Sequence, residues 1–125
     1  TTHEAQEDTL DLKKNGLVPI VDIARLYTLT HGIDAVNTLE RLHAASEHGV
    51  MNRDTAQDLA NAYEFIASLR LRHQVEAVRR GEKPDNYLDP RTLSSPERSH
   101  LKQAFRVVRT VQQAMTQRYQ GGRFA

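Results

Sequence analysis

The chain has no cysteine. That removes a disulfide framework, a thiol nucleophile and a thiolate zinc site, and nothing demands an oxidising compartment. No apolar run approaches the roughly 18 residues that a membrane-spanning helix requires. The polar opening Thr1 to Asp8 does not read as a secretory signal, so a cytoplasmic home is the default expectation. Charge of one sign is also missing. With 17 Lys and Arg against 16 Asp and Glu the net charge is +1, which speaks against nucleic acid and against a membrane surface as partners.

The signatures of phosphate chemistry are absent as well. The sequence contains no Gly-x-x-x-x-Gly-Lys, no Gly-Ser turn and no Asp-x-Asp pair, so nothing local offers to neutralise the charge that develops in phosphoryl transfer. The histidines at 3, 31, 43, 48, 73 and 100 include no pair four residues apart, and two ligands on one helical face are therefore not expected.

What is present is helical pattern. A length of 125 residues fits one domain with a core that needs no staples, and residues 1–10 read as a frayed or linker segment, with the whole expected to be a piece of a longer protein. The longest pattern runs from Asn52 to Arg80, about 42 Å at 1.5 Å per residue. Leu59, Tyr63, Ile66 and Leu69 share one face, while Phe65, Leu71, Val75 and Val78 lie on others, which predicts a central helix covered from several sides. A first helix is expected over 17–31, with Ile20, Val21, Ala24 and Tyr27 buried and Gly32 at its C-terminus. Asn37 and Glu40 have the spacing of a capping box for a short second helix ending at Gly49, antiparallel to the central one. The segment from Gly81 to Pro90 reads as a structured loop. Ser94 or Ser95 caps a last helix with Leu101, Ala104, Phe105, Val108, Val111, Met115 and Tyr119 as its core stripe and Gly121-Gly122 as its stop. No strand is expected. The fold class is all-α: a bundle of four main helices, with room for a fifth, around the long central one.

The densest polar cluster is Arg70, Arg72 and His73 on the central helix. Arg70 and His73 share a face and together can grip a phosphate or carboxylate, the guanidinium by its planar fork and the imidazole as an adjustable donor. The alternative is structural: Arg70 pairs with Asp22 on the first helix, where Arg25 stands nearby, and His73 is a hydrogen-bonded core residue. Lys13 and Lys14 precede the first helix and could meet an anion at its N-terminus, or be solvated in a turn. Asn86 and Tyr87 could touch a ligand or merely close the loop. Lys102, Arg106 and Arg109 read as a wet face whose functional version is an acidic partner.

Taken in order, Asp11-Leu12-Lys13-Lys14, Pro19-Ile20-Val21, Asn37-Thr38-Leu39-Glu40-Arg41-Leu42, Arg70-Leu71-Arg72-His73-Gln74 and Pro84-Asp85-Asn86-Tyr87-Leu88-Asp89-Pro90 resemble the C-terminal helical domain of the DUF294 family, the nucleotidyltransferase substrate-binding type. The resemblance covers about Asp11 to Tyr119. It implies a helical bundle that follows a polymerase-beta-type nucleotidyltransferase domain, often together with CBS domains. That upstream domain would carry the acids that bind magnesium and the nucleoside triphosphate, with no cofactor held here. The present chain would hold an unknown acceptor and be no catalyst alone. Lys13, Arg70, Arg72, His73, Asn86 and Tyr87 lie in the matching motifs and are the implied substrate-binding residues, with Asp22 and Arg25 as second choices. The competing expectation is a helical interaction or oligomerisation module, such as a homodimer, marked by an exposed apolar patch instead of a polar cleft.

Overall fold

A computed structural model describes residues 8–124, with side chains through Arg118. Four α-helices are present among them: α1 (Val18–Leu29), α2 (Thr38–Glu47), α3 (Arg53–Arg79) and α4 (Ser95–Phe124). The all-α class holds. The strongest packing joins α3 to α4, and α2 lies between α1 and α3.

Local chemistry sets the helix ends. Asn37 accepts a hydrogen bond from the Glu40 backbone N–H at 2.9 Å, and the Glu40 carboxylate reaches back to the Val36 N–H. Asn52 caps α3 through the amides of Asp54 and Thr55. At α4 the exchange is reciprocal, since Ser94 Oγ accepts from the Glu97 N–H and Glu97 accepts from the Ser94 N–H. These bonds occupy donors that a helix start leaves without intrahelical partners. Gly32, Gly49 and Gly81 follow α1, α2 and α3 at φ of 64°, 74° and 75°, a region where a Cβ is strained.

The first helix departs from the sequence reading. A π-helical turn, Lys13–Leu17, leads straight into α1, so Asn15-Gly16 is a wound turn of helix and not a loop ahead of one. Packing explains it. Gly16 is buried with Ile66 so close that an added Cβ would lie 3.1 Å from two of the isoleucine carbons, and the missing side chain lets the turn sit on α3. Pro19 lies in the first turn of α1, where its lack of an N–H costs nothing.

Two further expectations are corrected. Leu10–Asp11 and Tyr87–Leu88 pair as a short antiparallel ribbon, β1 with β2, Leu10 opposite Leu88 and Asp11 opposite Tyr87. Part of the segment read as frayed is thus tied down, whereas residues 1–7 lie outside the described part. The last helix also runs through Gly121-Gly122 to Phe124. Glycine weakens a helix by about 1 kcal/mol against alanine but commonly ends one where the backbone turns left-handed, and the positive φ glycines among the described residues are Gly32, Gly49 and Gly81.

The core is centred on Leu12, Ile20, Leu42, Leu59 and Ile66, all essentially fully buried. Thr28 is buried too, its hydroxyl donating to the Ala24 carbonyl at 2.9 Å. The central helix is less enclosed than its pattern predicts. Its Leu59–Ile66–Leu69 face is covered, and Phe65 stacks on His100 at 3.7 Å. Leu71, Val75 and Val78 remain 63%, 39% and 61% exposed, because α2 ends well short of them and the Gly81–Pro90 segment folds against a different side.

Candidate functional site

Three of the sequence motifs meet at one junction. The Leu12 N–H donates to the Asn86 carbonyl at 2.8 Å, stitching the Asp11–Lys14 segment to the Pro84–Pro90 segment beside the ribbon. From α3, Arg70 Nε donates to Asn86 Oδ1 at 2.6 Å, and Gln74 Nε2 donates to the same oxygen at 3.2 Å. His73 Nε2 meets Asp85 Oδ1 at 2.9 Å; as a carboxylate oxygen only accepts, the imidazole is the donor. Asp85 Oδ1 also takes the Tyr87 N–H at 3.0 Å, an Asx turn that sets the start of β2.

Beside this junction lies a cleft of about 430 Å³ between α3 and the segment from β2 to the start of α4. Arg72, His73, Glu76, Tyr87, Asp89 and Glu97 are among its walls. Arg72 Nη1 donates to Glu97 Oε2 at 2.7 Å across the cleft, with about half of the arginine side chain still exposed. The arginine holds the Glu97 carboxyl down from 4.5 to about 2, with the Ser94 N–H adding to the effect, and the same bond raises the Arg72 guanidinium above its ordinary value. Asp89 is likewise lowered, by the side chain and backbone N–H of Arg91.

The sign of the pH effect follows. A carboxyl depressed by folding stabilises the folded state fully above its ordinary value, and the contribution disappears as pH falls through the folded value. For Glu97 that window runs from pH 4.5 down to about 2. The side-chain carboxyl ¹³C shift of Glu97 is expected to titrate near the lower limit, and in Arg72→Ala to move up towards the upper one. A titration unaltered by the substitution would show that the ion pair does not form in solution.

Of the eight residues singled out from sequence, Arg70, Arg72, His73, Asn86 and Tyr87 are brought together here. Lys13 is exposed on the π-helical turn, next in sequence to Leu12 of the junction, and is not a cleft wall. The anion expected near that helix start has a competitor in Asp11, whose Oδ1 accepts the Lys14 N–H at 2.8 Å. Asp22 and Arg25 are exposed on α1, away from the cluster, and Asp22 is not the partner of Arg70. Sequence reasoning missed Asp85 and Glu97 as the partners of His73 and Arg72. The signal was partly there: Asp85 precedes Asn86 in one motif, and the Ser94 cap fixes where Glu97 must stand.

The architecture is that of a predominantly helical domain in which three of the polar motifs meet beside one cleft. The chain belongs to the DUF294_C family, described as "Putative nucleotidyltransferase substrate binding domain", whose model matches residues 1–119. It is also similar to the bifunctional glutamine synthetase adenylyltransferase/adenylyl-removing enzyme of Corynebacterium glutamicum, being 28% identical over 99 aligned residues that cover 73% of this chain and 10% of that protein. The chain therefore spans about a tenth of that relative's length. No solved structure matches it.

Proposed function

We propose that this domain holds the acceptor of a nucleotidyl transfer in the cleft walled by Arg72, His73 and Tyr87, beside a separate polymerase-beta-type catalytic domain of the same polypeptide. The observation that carries the reading is the convergence of the Asp11–Lys14, Arg70–Gln74 and Pro84–Pro90 motifs on one junction at the edge of one cleft. Arg72 has one N–H engaged by Glu97, and its other donors remain for a carboxylate or phosphate of the acceptor. His73 is held in place by Asp85, and Tyr87 adds an amphipathic ring. Such groups raise a rate by fixing the acceptor where the nucleotide is attacked, not by making or breaking bonds themselves. Among the described residues no group of three or more His, Asp or Glu side chains is placed to hold a metal ion. In this reading magnesium and the nucleoside triphosphate belong to the catalytic domain, and CBS domains upstream would be regulatory neighbours.

The test uses the parent polypeptide with each of the four labelled nucleoside triphosphates in lysate. Arg72→Ala and His73→Ala are each expected to lower label transfer at least tenfold, through a raised KM for the acceptor with the nucleotide KM unchanged. Transfer at the unsubstituted rate in both variants, or transfer by this 125-residue chain alone, would refute the proposal.

A second reading, the interaction module, is favoured by one observation. Leu71, Val75 and Val78 recur at helical spacing on the open side of α3 and form an exposed apolar stripe. On that reading the domain self-associates through α3, and sedimentation velocity of Leu71→Glu/Val78→Glu should show the association lost.

A further inference from the structure

Another concavity is unlike the acceptor cleft. A trough of about 690 Å³ runs along α4 from Ser95 to Gln112, closed on its other side by Leu10, Asn15 and Pro90. Tyr87, Leu88 and Asp89 border the cleft, whereas Leu10, the partner of Leu88 across the ribbon, and Pro90 border the trough.

The charges differ in kind. In the cleft Arg72, Arg80 and the His73 imidazole are answered by Glu97, Glu82 and Asp85 respectively. The trough is lined by Arg98, Lys102 and Arg109, and among the described residues no carboxylate lines it. Arg98 donates one N–H to the Leu93 carbonyl at 3.1 Å, and the Lys102 and Arg109 side chains form no hydrogen bond or ion pair among the described residues. The partly exposed Leu10, Pro90 and Phe105 supply apolar surface beside these cations, over Leu101 and Val108 of the core. The dimensions are informative. Ser95 to Gln112 spans about 25 Å at 1.5 Å per residue, so the volume is spread along a shallow track, where a compact small molecule would leave most of the floor bare.

We propose that this trough is a docking surface for an acidic amphipathic helix of a partner protein, its apolar stripe seated on Leu10, Pro90 and Phe105 and its carboxylates paired with Lys102 and Arg109. A helix in a groove supplies what the track offers to bind: a continuous apolar edge flanked by charges one or two turns apart. The unanswered positive charge selects the acidic kind. This surface shares no wall residue with the acceptor cleft, and neither proposal needs the other.

The test titrates the chain with two fluorescent helical peptides of about 16 residues, the length that matches the track at the same rise. Both carry one leucine stripe; it is flanked by glutamates in one and by lysines in the other. The acidic peptide is expected to bind at least tenfold more tightly than its basic counterpart. Lys102→Glu/Arg109→Glu, two exposed positions whose fold is checked by circular dichroism, should reverse that preference, and replacing the peptide leucines by serine should abolish binding. Equal binding of the two peptides, or a preference unchanged in the double variant, overturns the proposal. Displacement of the acidic peptide by micromolar tripolyphosphate or ATP also overturns it, in favour of a small polyanion. In a parallel assay on the parent polypeptide, loss of acceptor binding in Arg72→Ala with peptide binding intact would separate failure at the cleft from failure at the trough.

Discussion

Ile66→Ala is expected to lower the free energy of unfolding by about 3–4 kcal/mol, near the middle of the range for truncating a fully buried large aliphatic side chain. The position leaves little room for relaxation. Ile66 is 0% exposed at the middle of α3, and the Gly16 backbone of the π-helical turn rests directly on it. Phe105 of α4 lies beside the same glycine, with a ring carbon 3.6 Å from where a Cβ would stand. Alanine would leave a void that the wound turn cannot fill, since Gly16 has no side chain to extend into it. Denaturant melts should show a lower midpoint with an unchanged slope. A loss below about 1 kcal/mol would mean that the turn collapses onto α3 and that its contact with Ile66 is not a fixed element of the core.

The second large effect is expected at Asn86. Its side-chain oxygen is the common acceptor for Arg70 and Gln74, while its backbone carbonyl holds Leu12. Asn86→Ala removes the acceptor and leaves a half-buried guanidinium without it. A hydrogen bond to a charged group contributes about 1.5–3 kcal/mol, and an unsatisfied donor adds to the loss, so a destabilisation of about 3 kcal/mol is expected. Asn86→Asp keeps an oxygen in place and should retain most of the stability. Hydrogen exchange at the Leu12 amide gives an independent readout: it should speed up in Asn86→Ala as the ribbon loosens, even though the backbone acceptor itself is untouched. Unchanged exchange would show that the ribbon is held by the core alone.

The features legible in the sequence are those decided within a few residues. Asn37, Asn52 and Ser94 cap where their side chains allow, and Gly32, Gly49 and Gly81 end the preceding helices because each adopts a positive φ. The family motifs were legible also, and three of the five meet at the junction. Features that depend on distant partners were not. The ribbon joins Leu10 to Leu88 with only two residues per strand, too few for an alternating pattern to register. Asn15-Gly16 has the composition of a turn, and only the approach to Ile66 makes it a turn of helix. Periodicity identified α3 but could not say which of its faces would lack neighbours, so Leu71, Val75 and Val78 were expected under cover. Arg72 and His73 were visible as a cluster, whereas their tethering to Glu97 and Asp85 required the chain to fold back from α3.

The ribbon has one more consequence. Two residue pairs are too few to be rigid by themselves, yet one strand of this strip borders the basic trough through Leu10 and the other borders the acceptor cleft through Tyr87 and Leu88. Any occupant that shifts the strip changes the other hollow, and linkage makes the influence mutual: the factor by which the first guest alters the affinity of the second is the factor by which the second alters the first. The thinnest β-structure in a helical protein is thus the place where two otherwise separate equilibria would be coupled.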